Sequence, residues 1–107
     1  MNLLNNVIPK EMFKEGVDLS KIGINEYAWG RQKIESIVKI LSTQKIVILG
    51  GDVYKVRNNN IETTYDSWYI DNDGSKDIYL KSYVVTLNYI DKYEKNNFGN
   101  FLYTITI

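Results

Sequence analysis

The stretch KIVILGGDVYKV, residues 45–56, decides how the fold of this chain is read. The apolar run Ile46–Leu49 is rich in β-branched residues and predicts a strand buried on both faces. Two glycines and an aspartate follow, and the alternating segment Val53–Arg57 predicts a second strand. Because Gly50 and Gly51 permit a positive φ or a β-bulge, we interpret GGD as a bend between two strands.

The glycine pair lacks the features of nucleotide-binding loops. A P-loop needs wider glycine spacing and a final Lys-Ser or Lys-Thr, and a dinucleotide-binding fingerprint needs a third glycine that opens a helix. The string GGD also occurs in diguanylate cyclases, where it continues with Glu-Glu-Phe in a much longer domain. Asp52 is left with two readings, a local hydrogen-bond acceptor or a contact to a partner.

Helical patterns precede this region. VIPKEMFKEG predicts a short helix that starts near Pro9 and stops at Gly16, and DLSKIGI predicts a turn or short helical piece closed by Gly23. In RQKIESIVKILSTQ, apolar residues recur at i, i+3, i+4 and i+7, which predicts a helix with one buried stripe. That stripe consists of Ile34, Ile37, Val38 and Leu41.

Downstream, RNNNIE predicts a hairpin turn, because Asn tolerates the left-handed conformation. Ile61–Thr64 then predicts a third strand and YDSWYI a further short one. DNDGSKD predicts a turn and a helix start with Asp73 or Ser75 as N-cap. The helix runs from about residue 76 to 95, and FLYTITI predicts a final strand in the sheet. The expected apolar stripe of this helix is Ile78/Tyr79, Tyr83, Leu87 and Ile90.

The predicted element order is α-α-β-β-β-α-β, within a single domain that spans residues 1–107. A chain of this length buries enough apolar surface to fold without disulfides or metal. Separate runs of helices and strands favour an α+β fold. We expect a mostly antiparallel sheet of about four strands, with helices packed on one face.

The chain contains no cysteine and no histidine. Disulfides, thiolate nucleophiles, zinc–thiolate sites and a Ser-His-Asp triad are therefore excluded. The commonest general base and the commonest transition-metal ligand are both missing. We expect a protein that is not an enzyme, with no catalytic residue, no metal site and no cofactor.

Paired carboxylates offer the remaining route to catalysis. Asp52, Glu62 and Asp66 lie near each other if the predicted hairpin pairs as drawn, and two carboxylates can hydrolyse glycosides or hold a hard metal ion. A small carboxylate- or metal-dependent hydrolase is therefore the enzymatic alternative. DNDGSKD resembles the start of a calcium loop, but Ser82 stands where the loop needs its twelfth-position glutamate.

Charge is balanced overall but uneven along the chain. Thirteen basic and thirteen acidic residues give a net charge of zero, yet acids dominate the second half. The acidic segment carries Glu62, Asp66, Asp71, Asp73 and Asp77, offset only by Lys76. No basic stripe suggests nucleic-acid binding. An acidic face suits a basic protein partner, and a solvated loop with a helix start is the alternative.

Nothing in the pattern suggests a membrane or an export signal. No apolar run approaches the roughly 20 residues of a membrane span. The start, MNLLNNVIPKEMF, lacks the basic region and small-residue cleavage site of a secretory signal. Together with the lack of cysteine, this predicts a cytoplasmic location.

Aromatic residues cluster within the acidic segment. YDSWYI places Tyr65, Trp68 and Tyr69 around Asp66, and Tyr54 is expected to lie near them in space. Trp and Tyr dominate protein interfaces, because they bury much area at low entropic cost. Aromatics flanked by acids do not suit single-stranded nucleic acid. A role in the core is the alternative, and Trp68 is the strongest candidate for it.

Two motifs in this order resemble the immunity protein 40 family of bacterial polymorphic toxin systems. They are ILGGDVY (residues 48–54) and, after a hairpin with a polar turn, IETTYDSWY (residues 61–69). The upstream GINEYAWGRQKIESIVKIL and the C-terminal helix and strand are also similar, so the resemblance extends from about residue 16 to the end. Gly30 stands where the family pattern suggests a residue that favours a helix.

The resemblance implies a non-enzymatic protein that binds and neutralises a cognate toxin made by the same cell. An inhibitor of this kind needs surface complementarity and no reactive group. A generic protein-interaction module is a further alternative. The motifs supply the candidate partner-binding residues, which a role in folding would equally explain. They are Asp52, Tyr54, Glu62, Tyr65, Asp66, Trp68 and Tyr69.

Overall fold

The structure is a computed structural model that describes residues 3–107. For Leu3 it describes the backbone and not the side chain. Met1 and Asn2, which belong to the predicted single domain and to the start compared with a secretory signal, lie outside the described residues. Three α-helices and five strands form within the described range. In chain order they are α1 (Lys10–Lys14), β1 (Val17–Asp18), β2 (Tyr27–Ala28), α2 (Arg31–Thr43), β3 (Gly50–Arg57), β4 (Asn60–Tyr69), α3 (Ile78–Asn96) and β5 (Asn100–Tyr103).

The predicted α+β fold with an antiparallel sheet is confirmed. Within residues 3–107 the main sheet has the order β4-β3-β5, and both pairs of strands are antiparallel. β1 and β2 form a separate two-stranded ladder. The helices α2 and α3 pack on each other, and α2 also contacts β5, so they cover one face of the main sheet.

The strand predicted at Ile46–Leu49 is wrong. This segment has no regular secondary structure, β3 begins only at Gly50, and of the four residues only Ile48 is fully buried. The interpretation of GGD as a bend between two strands is also wrong, because β3 runs through both glycines. The expected positive φ is present at Gly50, where it is 143°.

The glycines are required by the close approach of neighbouring chains. A Cβ added at Gly51 would lie 2.0 Å from the carbonyl oxygen of Thr104 and 2.5 Å from the Trp68 ring. At Gly50 it would lie 2.1 Å from the carbonyl oxygen of Trp68. No side chain fits such distances. The two glycines therefore let β4 approach β3 closely on one side and the C-terminal segment, residues 104–107, approach it on the other.

The predicted hairpin turn is confirmed, and the strand after it is longer than expected. Asn58 and Asn59 have φ values of 51° and 65°, as a tight turn between antiparallel strands requires. β4 then continues through YDSWY to Tyr69 as one strand. It contains a bulge, because Asp52 pairs with Ser67 while Tyr54 pairs with Thr63, which leaves two extra residues on β4.

The helix α2 buries the stripe that its sequence predicts, but α3 does not. Ile34, Ile37, Val38 and Leu41 of α2 are all buried. In α3 the buried positions are Ile78, Ser82, Thr86 and Ile90, whereas Tyr79, Tyr83 and Leu87 are half-buried. The predicted stripe is therefore right only at its two ends.

Two hydroxyl groups explain why polar residues of α3 face the core. The Ser82 hydroxyl accepts a hydrogen bond of 3.0 Å from the backbone N–H of Ile48. The Thr86 hydroxyl accepts one of 3.1 Å from the indole N–H of Trp68. Both hydroxyls satisfy buried donors that would otherwise lack a partner, so they replace apolar residues at these positions.

The predicted N-cap of α3 is wrong. Asp77 occupies the cap position in a left-handed conformation (φ 64°), and its side chain makes no capping bond. Asp73 instead accepts hydrogen bonds from the backbone N–H of Ser75 (2.9 Å) and from its hydroxyl (2.6 Å). These bonds close a turn within the loop before the helix, and they lower the pKa of Asp73.

The N-terminal predictions hold, and this region completes the fold. α1 follows Pro9, and a 3-10 helix at Leu19–Ile22 is closed by Gly23 (φ 82°). Leu19 packs with Ala28 and Tyr54 on the sheet face opposite the helices.

Trp29 follows β2 directly and bridges the outer side of β5 at its last residue, Tyr103. Trp29 exchanges two backbone hydrogen bonds of 2.8 and 2.9 Å with Tyr103. Its indole N–H donates to the carbonyl oxygen of Met12, at 2.7 Å, which ties α1 to the sheet. Among the described residues, no strand or bridge covers the edge of β4, whereas β5 is bridged at Tyr103 alone.

Candidate functional site

Four of the seven predicted contact residues lie exposed along β4. They are called here the β4 surface and comprise Glu62, Tyr65, Asp66 and Tyr69. Glu62 and Asp66 lie on the helix side of the strand, and Tyr69 lies on the opposite side. Tyr65 is 90% exposed and Tyr69 is 78% exposed, which is unusual for aromatic side chains. The structure thus brings two aromatic rings and two carboxylates to one strand at the edge of the sheet.

The bulge in β4 positions Tyr65. Its φ of 64° lies in the left-handed region, which a bulky residue rarely adopts. The Thr63 hydroxyl accepts from the backbone N–H of Tyr65 (3.2 Å), and the Thr64 hydroxyl accepts from that of Asp66 (3.1 Å). Thr64 also donates to the carbonyl oxygen of Val53, at 2.7 Å. Side chains thus replace ladder bonds that the bulge removes, and they hold Tyr65 outwards.

The two carboxylates of the β4 surface have neighbours that fix their position. Tyr93 of α3 donates its hydroxyl to Asp66, at 2.7 Å. Burial raises the pKa of Tyr93, and the bond to Asp66 raises it further. Glu62 lies 3.9 Å from Arg57 across the hairpin, an exposed pair that contributes at most about 1 kcal/mol. Asp66 is thus anchored to the helix layer, whereas Glu62 is held only weakly.

Trp68 belongs to the core rather than to the surface. It is 9% exposed, and its indole lies edge-on to Tyr89 with ring centroids 5.0 Å apart. Its indole N–H is satisfied by Thr86. Since Trp68 alternates with Tyr69 along β4, one ring enters the helix layer while the next points to the opposite face.

Tyr54 and Asp52 lie on the face of β3 that the helices do not cover. Tyr54 is 5% exposed, and burial raises its pKa, as do the nearby carboxylates Asp52 and Glu26. Burial also raises the pKa of Glu26, and Asp52 raises it further. Glu26 was missed by sequence reasoning, since only the β1–β2 ladder brings it to β3, and no local pattern signals that pairing.

The three carboxylates of the enzymatic alternative do not converge. Asp52 faces the same side of the sheet as Tyr54. Glu62 pairs with Lys55, whose side chain points to the other side, and Asp66 bonds the helix α3 there. In residues 3–107 no group of three or more acidic side chains is arranged to hold a metal ion.

The loop after β4 extends the negative charge of the β4 surface. Asp71, Asp73 and Asp77 are all exposed, and Lys76 is the one base among residues 61–77. With Glu62 and Asp66 this stretch carries five acids and one base, a net charge of −4. A field of this sign favours encounter with a basic surface.

A second polar cluster joins α2, α3 and β5, and sequence reasoning missed it. Arg31 forms an ion pair with Asp91, and Tyr103 donates its hydroxyl to Glu94 at 2.7 Å. Burial and the bond to Glu94 raise the pKa of Tyr103 far above its usual range. An open cleft of about 450 Å³ lies beside Arg31 and Glu94. The ion pair and the bond link the two helices and β5, which gives this cluster a structural role.

The two helices longer than ten residues are amphipathic or polar in sequence. No helix among residues 3–107 is long and apolar enough to cross a membrane.

The comparisons with known proteins give one match. The family model described as Immunity protein 40 matches residues 18–107, which include both sequence motifs, β4 and the acidic loop. No curated protein and no solved structure matches the chain. Because the family model covers well over half of the sequence, the chain belongs to the immunity protein 40 family.

Proposed function

We propose that this protein is a non-enzymatic immunity protein that binds a cognate protein toxin and neutralises it by direct contact. The β4 surface is the proposed contact site, with Tyr65 and Tyr69 as anchors and with Glu62 and Asp66 on the helix side of the same edge strand. The acidic loop at residues 71–77 extends this site. Membership of the immunity protein 40 family supports a toxin as the partner.

The observation that carries this proposal is the exposure of two tyrosines on an uncovered sheet edge. Tyr65 and Tyr69 are 90% and 78% exposed, although burying a tyrosine stabilises most folds. Holding Tyr65 in a left-handed conformation costs about 1 kcal/mol or more. A partner that buries both rings would offset this cost in the complex.

The three remaining predicted residues, Trp68, Tyr54 and Asp52, lie beside or behind the β4 surface. Trp68 anchors β4 to the helices, and Tyr54 anchors β3 on the other face. Asp52 is half-buried and borders Ser67 of β4, so a basic group of the toxin can approach it beside Tyr69. We propose a supporting role for Trp68 and Tyr54, and a peripheral contact for Asp52.

The hydrolase alternative has less support, because its three carboxylates point to different sides of the sheet. A generic interaction module would use the same exposed tyrosines but would not protect cells from a toxin. We place the encounter in the cytoplasm, since a chain without cysteine suits a reducing compartment. No nucleic acid, membrane or cofactor takes part in the proposed mechanism.

The test is co-expression with the toxin encoded beside this gene, followed by titration of the purified proteins. We expect cells to survive and the two proteins to co-elute. Toxin activity should fall in proportion to the immunity protein added and vanish near one equivalent. It should return when the complex is denatured and the toxin is refolded alone. Cell death without a complex would refute the proposal, and full protection at a small fraction of one equivalent would show an enzyme instead.

A further inference from the structure

The free edge of β4 offers backbone groups as well as side chains. The backbone N–H of Ile70 donates to the carbonyl oxygen of Leu49, at 2.9 Å, so the N–H of Ile70 points towards the β3 side. Backbone polar groups of an antiparallel strand alternate in direction. Tyr69 and Ser67 must therefore direct their N–H and C=O groups outwards, and Trp68 directs its own towards β3.

Bonds on the far side of β3 agree with this alternation. Asp52 accepts a backbone bond from Thr104 (3.0 Å), and the N–H of Asp52 donates to the Thr104 hydroxyl (2.9 Å). Since Asp52 faces the C-terminal segment, its partner Ser67 makes no ladder bond to β3. Two independent sets of bonds thus place the backbone groups of Ser67 on the open side.

Only the second half of β4 is open in this way. The bulge at Tyr65 interrupts the regular strand before Ser67. The first half borders a cleft of about 480 Å³ that β1 and the following 3-10 helix line together with Asn60 and Ile61. A partner strand therefore finds a regular, unobstructed edge at residues 67–69.

We infer that an extended, basic segment of the toxin pairs with β4 at Ser67 and Tyr69 and adds a strand to the main sheet. This inference rests on the proposed function and specifies its geometry. Backbone pairing at a sheet edge supplies affinity, and flanking side chains supply specificity. The net charge of −4 over residues 61–77 selects a basic segment, and the exposed rings of Tyr65 and Tyr69 flank it.

A second copy of this chain is a poorer occupant. Two β4 edges would bring both acidic stretches together, and like charges at such an interface are unfavourable. The bulge and the charges also match the devices by which natural sheets prevent pairing with themselves. Charge complementarity therefore favours the toxin segment.

Amide hydrogen exchange, read residue by residue by NMR, tests the pairing with the purified neighbour-encoded toxin as probe. In the free protein the amides of Ser67 and Tyr69 should exchange fast, whereas those of Trp68 and Ile70 should exchange slowly. Bound toxin should slow Ser67 and Tyr69 at least about tenfold. A complex in which both amides still exchange fast would overturn the inference and leave the proposed function intact. Failure to form any complex would overturn both.

A variant separates backbone pairing from side-chain contact. Ser67→Pro removes the outward N–H, and Ser67→Ala keeps it. We expect Ser67→Pro to weaken toxin binding about tenfold or more and Ser67→Ala to change it less than about threefold. Equal effects of the two substitutions would overturn the inference. So would a dimer of the free protein that Ser67→Pro dissolves, because the edge would then serve a second copy.

Discussion

Gly51 is the position where a single added side chain tests the packing of the sheet most severely. A Cβ there would lie 2.0 Å from the carbonyl oxygen of Thr104, whereas ordinary contact requires at least 3.4 Å. The C-terminal segment would have to withdraw by about 1.4 Å, because the obstacle is backbone. That movement would break the two hydrogen bonds between Asp52 and Thr104.

The magnitude follows from these contacts. Two broken hydrogen bonds cost about 2 kcal/mol, and overpacking costs about 1–3 kcal/mol. Gly51→Ser should therefore lower the free energy of unfolding by about 3–5 kcal/mol. For a domain of this size we expect the Tm to fall by about 12 °C or more. Most domains have about 5–15 kcal/mol of stability, so the variant should still fold at low temperature.

Gly30→Ser is the matched control. A Cβ at Gly30 meets nothing within 4 Å, and Gly30 is the N-cap of α2, where serine is favoured. This variant should be as stable as the native protein or slightly more stable. Urea unfolding followed by circular dichroism measures both variants. If Gly51→Ser unfolds within about 0.5 kcal/mol of Gly30→Ser, the close approach of the C-terminal segment to β3 is refuted.

Two further predictions concern the core and pH. Thr86→Val should lower the free energy of unfolding by about 1 kcal/mol in the native background. In the Trp68→Phe background it should cost much less, because the bond from the indole N–H to the Thr86 hydroxyl is already lost there. Equal costs in the two backgrounds would exclude that bond. The pKa of Tyr103 is raised in the folded state, so its stabilisation is complete below about pH 10, the unfolded value, and declines above it. Urea titrations at about pH 9–11 measure how the free energy of unfolding falls with pH. The fall should be shallower for Tyr103→Phe than for the native protein, by up to about 1.4 kcal/mol per pH unit. The same slope for both proteins would contradict a raised pKa of Tyr103.

The elements that sequence predicted well depend on local chemistry. The four-residue stripe of α2 and the paired asparagines at residues 58–59 carry their own period or backbone preference. The stripe of α3 could not be read in this way. Its buried positions include Ser82 and Thr86, whose partners are a distant backbone N–H and an indole. Such polar positions enter the core only because of tertiary contacts.

The strand region failed for a related reason. Ile46–Leu49 has the composition of a buried strand, yet the regular strand β3 starts at Gly50, where the glycines permit close approach on both sides. The same limit applies to the candidate site. Sequence reasoning gathered the aromatic residues of YDSWY and named Trp68 as the strongest candidate for the core, but it kept Trp68 among the contact residues with Tyr65 and Tyr69. Strand alternation separates Trp68 from Tyr69, and the bulge turns Tyr65 outwards. No local sequence pattern marks the two threonines that support the bulge.

Toxin affinity of a tyrosine-depleted variant, measured by isothermal titration calorimetry, tests most directly whether the β4 surface binds the toxin. Phe98→Ala is the control, because Phe98 is 98% exposed but belongs to the connection between α3 and β5, outside β4. We expect Tyr65→Ala combined with Tyr69→Ala to weaken binding at least about 100-fold, as two interface anchors should. Phe98→Ala should change it less than about threefold. Equal affinities of the double variant and the native protein would contradict the proposed contact site.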